Sequence, residues 1–329
     1  MAENTPSTDA SPILLRSDRI LVEIARPGTV YTGTRFDWTG FITQVTLDRE
    51  HTFCVPESLQ PGQGTGGIGL CNEFGIERPI GYDDAQPGEA FPKLGIGLLT
   101  RPDEGQYNFF RTHEIAQPFP IDVQVVPDAA TFVVAPLECR GYAARLTKAV
   151  SVEGSALTIA YQLENVGSRR LSTHEYCHNF CGIDGHPLGP EYRLRIPYEI
   201  AFEDVSAQMV GRLPRWMRLL PRPLQIGLVR RLLNRMGSIL ATEGGELWCR
   251  STPERQFYRR LVGFAKSESV QWELVHTPSG LGMREYDDFA PSRVALWGAS
   301  HVISAEVFVD IELPPGETMA WTRRYEFFD

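Results

Sequence analysis

Alternation with a period of two runs through most of this chain. Leu157, Ile159, Tyr161 and Leu163 are apolar, with Thr158, Gln162 and Glu164 between them. Val307, Val309, Ile311 and Leu313 alternate with Asp310 and Glu312, and Met319, Trp321, Arg323, Tyr325 and Phe327 form a third row. Such rows place alternate side chains on opposite faces of a strand. Turn signals punctuate them at Arg26-Pro27-Gly28, Asn165-Val166-Gly167 and Pro314-Pro315-Gly316. Many strands and little helical pattern predict an all-β sandwich or barrel. No repeat appears at the spacing of propellers or solenoids.

One segment breaks the alternation. Residues 205–242 contain no Asp or Glu but seven arginines, Arg212, Arg215, Arg218, Arg222, Arg230, Arg231 and Arg235. Ile226, Val229, Leu232, Leu233 and Met236 recur at helical spacing, with Gly237 placed to end the helix. Pro214, Pro221 and Pro223 divide the segment into short pieces. It reads as a helical insert packed on the sheet, its arginines solvated or paired with the acidic body. The sharper alternative is an anionic contact: a membrane surface, a partner protein or a lid over a charged substrate.

Composition narrows the field. The 329 residues are 42% hydrophobic and 22% charged, enough for a sizeable core. A net charge of −9 argues against nucleic acid as a partner. Residues 1–12 are polar and lack the features of a signal peptide, so residues 1–17 are expected to form a flexible tail and residues 18–329 a single domain. No apolar run approaches the ~18 residues of a membrane span. A cytoplasmic protein with reduced thiols follows as the expectation. Cys177 and Cys181, if on one strand, stand ~13 Å apart, too far for a disulfide or one metal ion. The loop PGQGTGGIG, from Pro61 to Gly69, lacks the Lys-Ser/Thr of a phosphate loop and reads as a tight or mobile turn that can wall a pocket.

Candidate chemistry gathers at two places. His174, Tyr176, His178 and Phe180 share one face of a predicted strand, a polar and aromatic mix suited to stacking on a sugar. Glu306 falls on the side of Asp310 and Glu312, away from Val307, Val309 and Ile311. Taken alone, His178 reads first as a core histidine satisfied by backbone groups, and Glu306 as a solvated strand residue.

Several segments together resemble galactose mutarotase-like (aldose 1-epimerase-like) proteins. They are YTGTRFDWTG from Tyr31 to Gly40, FPKLGIGLL from Phe91 to Leu99, His178-Asn179-Phe180, SAEVF from Ser304 to Phe308, and Pro315-Gly316-Glu317 with Trp321. The resemblance covers residues 18–329 outside the arginine-rich insert. It implies a large antiparallel β-supersandwich with a sugar-binding cleft on a concave face, and no cofactor or metal. It also implies that His178 protonates the ring oxygen while Glu306 takes the proton of the anomeric hydroxyl. The family's His-Gly and Asn-Arg-Ile segments are absent; His113 and Arg101 are the candidates nearest in order. His174, Trp272, Tyr286, Trp297 and His301 are further candidates to line the cleft.

The implied activity is a cofactor-independent isomerase that opens and recloses the ring of a sugar or sugar derivative by acid–base catalysis. Two other classes stay open: a carbohydrate-binding protein of the same fold without catalysis, and a biosynthetic proton-transfer enzyme (isomerase, cyclase or lyase) acting on a non-sugar substrate.

Overall fold

The computed structural model describes residues 11–204, 220–235, 239–264 and 268–329. Two large antiparallel sheets form a sandwich, with a three-stranded sheet beside it. The first sheet runs Ile13–Arg16, Ile20–Ala25, Phe41–Leu47, Leu70–Phe74, Leu171–Asn179, Val302–Leu313, Arg293–Ala299, Phe257–Val262 and Ala201–Phe202, with His51–Thr52 paired to Phe41–Leu47. The second runs Leu240–Glu243, Glu246–Cys249, Tyr192–Arg195, Gln271–His276, Gly282–Asp287, Thr318–Phe328, Ala156–Asn165, Ala144–Glu153, Ala129–Val134 and Ile121–Val126. Ala90–Lys93, Gly97–Thr100 and Ile115–Pro118 make the third. This is the all-β antiparallel sandwich with a short helix that the alternation and the resemblance predict.

The rows read from the sequence supply the core. Leu157, Ile159, Tyr161 and Leu163 are buried, as are Trp321, Arg323, Tyr325 and Phe327 on the neighbouring strand. Ring pairs such as Phe74–Trp321 (6.4 Å) and Phe53–Phe327 (4.9 Å) join the two layers. Burying rings of this size contributes roughly 1.5–3 kcal/mol each.

An ion cluster also lies between the layers. Arg323 is fully buried and donates to Glu175 (2.8 Å), Asp287 (3.0 Å), Glu285 (3.3 Å) and the Val307 carbonyl (2.9 Å). Trp272 Nε1 and Tyr325 OH donate to Glu285, and Asn179 Nδ2 donates to it at 3.0 Å. Glu175, Cys177 and Asn179 therefore face the interior, and Tyr176 and His178 between them face the opposite way.

Two expectations need adjusting. The tail was expected to reach residue 17, but Ile13–Arg16 is a strand paired with Leu21–Ile24, with Ile13 and Leu15 in the core; residues 1–10 lie outside the described residues. The insert contains the helix Arg222–Arg235, and its last residues, 240–242, belong to a sheet strand. Residues 205–219 and 236–238, including Arg212, Arg215, Arg218 and Gly237, lie outside the described residues. Of the seven arginines only the Arg222 side chain is described, and it is exposed. No helix among the described residues is long and apolar enough to cross a membrane. All six cysteines are unpaired and buried.

Candidate active site

The Leu171–Asn179 and Val302–Leu313 strands are neighbours, in register from Leu171↔Leu313 to Tyr176↔Phe308. An isolated bridge, Cys181↔Ile303, continues the same register. That register sets His178 opposite Glu306, and His178 Nε2 lies 3.2 Å from Glu306 Oε1. The backbone ladder is interrupted between these points. Side chains bridge the gap instead: Asn179 N–H donates to Ser304 Oγ (3.1 Å), and Asn179 Nδ2 donates to the Ala305 carbonyl (2.7 Å). Ser304 Oγ also lies 3.0 Å from His178 Nδ1.

Both members of the pair are 3% exposed. Burial disfavours either charge. The His178 imidazole is held well below its ordinary value, first by burial and then by the Arg35 cation. Burial pushes the Glu306 carboxyl up to about 8, against the pull of Arg35 and Arg293. Near neutral pH the imidazole is uncharged and the proton sits on Glu306. The pair thus holds one transferable proton, and its two arrangements differ only in which residue carries it.

Aromatic rings enclose the imidazole. Phe180 stacks on it at 3.9 Å, while Phe36 and Trp297 meet it edge-on at 6.1 and 5.4 Å. The glycine-rich loop closes over them. A Cβ at Gly67 would stand 2.2 Å from the Phe180 ring and 2.9 Å from Phe36, so only glycine permits this approach. Glu57 fixes the loop by accepting from the Thr65 N–H (2.5 Å) and hydroxyl (2.9 Å).

A second buried network adjoins the pair. Glu73 accepts from Arg35 Nε (2.8 Å), Tyr176 OH (2.7 Å) and Lys93 Nζ (3.4 Å). Arg35 also donates to Tyr176 OH (3.0 Å) and Thr65 Oγ1 (2.8 Å). Burial lowers Lys93 to about 8 despite the neighbouring carboxylate. Arg35, Lys93 and Ser304 lie in segments that carry the resemblance but were given no role in a site from sequence. Glu73 reaches Tyr176 only because Leu70–Phe74 pairs with the histidine strand, a long-range fact that local pattern does not carry. For Arg35, Glu73 and Lys93 the sequence signal was a charge beside apolar residues, as in Arg35-Phe36 and Pro92-Lys93-Leu94.

The other predicted residues are dispersed. Trp297 joins the pair, as described. His174 lies two residues from Tyr176 and is lowered by burial to about 4. With Glu77, Arg78, Arg293, Phe308 and Asp310 it lines a cavity of about 530 Å³. A neighbouring cavity of about 480 Å³ shares Glu77, Arg78 and Asp83 and is walled by Tyr82, Tyr107, Phe109 and Phe110. Neither His178 nor Glu306 lines either cavity. His113 is buried, its ring stacked on Tyr107 at 5.1 Å. Arg101 is buried and donates to main-chain carbonyls of the flanking loops, which makes it a clamp within the wall. His301 Nε2 lies 2.8 Å from the Pro56 carbonyl, in the turn after Arg293–Ala299. Trp272 sits between the sheets on Glu285, and Tyr286 bonds Glu326 (3.3 Å) on the second sheet. These two are corrections: the first sheet separates Trp272 and Tyr286 from the pair. Among the described residues, no three His, Cys, Asp or Glu side chains are grouped to hold a metal ion.

No protein-family model matches the chain, and no curated protein sequence does. Solved structures do. The Slr1438 protein of Synechocystis sp. PCC 6803 is 12% identical over 99% of each chain, with a TM-score of 0.57. A galactose mutarotase-like protein from Lactobacillus casei ATCC 334 is 12% identical over 97% of this chain and 100% of that one, at 0.56. The GalM/aldose epimerase homologue from C. elegans is 11% identical over 97% and 98%, at 0.51. At such identities the likeness establishes the fold alone.

Proposed function

Starting from the galactose mutarotase-like fold of this chain, we propose that it is a cofactor-independent carbohydrate isomerase in which His178 and Glu306 exchange protons with a sugar ring. The observation that carries this reading is the 3.2 Å contact between His178 Nε2 and Glu306 Oε1 on the sheet face turned away from the second layer. An acid and a base of this kind suffice for ring opening. With the proton on His178, the imidazolium gives it to the ring oxygen while the Glu306 carboxylate takes the proton of the C1 hydroxyl. The C1–O5 bond breaks, an aldehyde forms, and the pair is left as neutral imidazole and carboxylic acid. Rotation about C1–C2 and the reverse transfers close the ring on the other face. The pair's proton count is unchanged throughout, and burial holds the sugar-free pair in its neutral arrangement. The six unpaired thiols suit a reducing compartment, and we place the protein in the cytoplasm.

The rings around the pair also support a second reading, a carbohydrate-binding protein without catalysis, because a sugar reaches His178 only by parting it from Glu306. Anomer exchange measured by NMR across a panel of aldoses separates the two. The isomerase reading expects exchange above the buffer rate that falls at least about a hundred-fold, the scale of a positioned acid or base, in both His178→Ala and Glu306→Gln. Sugar binding without exchange selects the second reading.

A further inference from the structure

Phe110 is 71% exposed and borders the aromatic cavity. It is not on a loose loop tip. Its ring lies 4.1 Å from Phe109, and Phe109 rests against the Arg35 guanidinium at 4.6 Å. The Phe110 N–H donates to Asn108 Oδ1 (3.0 Å) and the Arg111 N–H to the Asn108 carbonyl (3.0 Å), which fixes the turn. Arg101 ties the two sides of the aromatic cavity together, donating to Tyr82 and Ala85 on one and to Asp103, Glu104 and Gly105 on the other. One side of Phe110 is therefore backed, and its exposed side is held ready.

The adjoining cavity is of opposite character, with carboxylates, guanidiniums and His174 in its walls. Each cavity falls within the range of small-ligand sites, about 300–1,000 Å³. Sharing Glu77, Arg78 and Asp83, they adjoin along one stretch of chain. A pyranose presents an apolar C–H face and an edge of hydroxyls. The first suits the negative face of an aromatic ring, the second the planar polar groups of the other lobe.

We propose that the two cavities form one groove for a neutral carbohydrate of at least two rings, with one ring in the polar lobe and the next stacked on Phe110. The inference rests on the carbohydrate part of the proposed function and not on its chemistry. Calorimetric titration of the full chain with glucose, galactose, cellobiose, maltose and lactose tests it. At least one disaccharide is expected to bind about ten-fold or more tightly than its component monosaccharides, an advantage of about 1.4 kcal/mol. Phe110→Ala, at an exposed site, should remove that advantage without lowering the melting temperature, and Phe110→Trp should keep it. Equal affinities for mono- and disaccharides, an advantage that survives Phe110→Ala, or no binding of any of the three disaccharides overturns the proposal. Anomer exchange without a disaccharide advantage defeats this groove and leaves the isomerase reading standing. A Phe110-dependent advantage without exchange does the reverse.

Discussion

Ser304 Oγ stands 3.0 Å from Nδ1 of His178, on the ring nitrogen opposite the one that meets Glu306. The same oxygen accepts the Asn179 N–H. One hydroxyl thus fixes the ring plane and caps a backbone donor where the strand ladder is interrupted. Ser304→Ala removes both contacts and leaves the Asn179 N–H buried without a partner, at a cost of about 1–3 kcal/mol. If the ring must be held to transfer protons, anomer exchange should fall about ten- to hundred-fold, by analogy with the loss of a partner that orients a metal-bound histidine. Urea unfolding and NMR exchange on the same variant check both numbers. An unchanged exchange rate would show that the ring needs no such support.

The raised carboxyl of Glu306 makes stability depend on pH in a defined window. Its folded-state value is about 8, above the 4.5 of the unfolded chain. Its contribution is whole below 4.5 and is lost as pH rises through 8. His178 is shifted the other way, so its contribution is present above 6.5 and lost as pH falls below that value. Of this pair, Glu306 dominates between pH 6.5 and 8. Glu306→Gln should therefore gain on the wild type by about 2 kcal/mol from pH 6.5 to pH 8, at about 1.4 kcal/mol per unit. Chemical denaturation at both pH values measures the difference. A difference that does not change with pH would mean the carboxyl is not raised.

Strand parity separated the faces correctly, and the apolar row of Val307, Val309 and Ile311 marked the inner face beside Glu306. His174, Tyr176 and His178 alternate with Glu175, Cys177 and Asn179, and the structure turns the first set away from the second layer. The same argument could not sort Trp272. An aromatic residue on a strand reads alike whether it packs between layers or lines a cleft, and Trp272 packs between layers. The partners of Glu73 were illegible for another reason. They come from strand order and from loops distant in sequence, with Lys93 twenty residues away and Tyr176 more than a hundred. Arg101 and His113 follow the same rule, since both serve loop packing that only the folded chain defines.

Gly67 offers a test of the wall over His178. Adding a methyl group brings carbon to 2.2 Å from the Phe180 ring, closer than any van der Waals contact allows. The ring must move, and Phe180 is the ring stacked on the imidazole. Gly67→Ala is expected to cost about 1–3 kcal/mol, as overpacked cores do. It should also shift the His178 ring proton resonances downfield as the stacked ring current is lost. Proton NMR of the histidine region reads the shift directly. Unmoved resonances would place the strain in the loop and not in the ring stack.

Arg323 anchors the opposite side of the same strand. It is the one guanidinium among Glu175, Glu285 and Asp287, and all four side chains are buried. Burial raises both Glu285 and Asp287, and Arg323 opposes the rise. Arg323→Met keeps the bulk and removes the charge, which strands the carboxyls without compensation and should cost about 3–5 kcal/mol at neutral pH. The sign of the pH dependence follows from those carboxyls. Without the cation their folded-state values rise further, so the variant binds more protons than its unfolded chain and loses stability as pH increases. The deficit should therefore shrink at pH 5 relative to pH 8. Glu285 holds Asn179, and Asn179 spans the gap to Ala305 beside the catalytic candidates. The variant should accordingly disturb His178 as well, visible as a changed ring resonance even under conditions where the fold persists. A deficit independent of pH would mean that Arg323 acts through packing alone and that the carboxyls around it are already neutral.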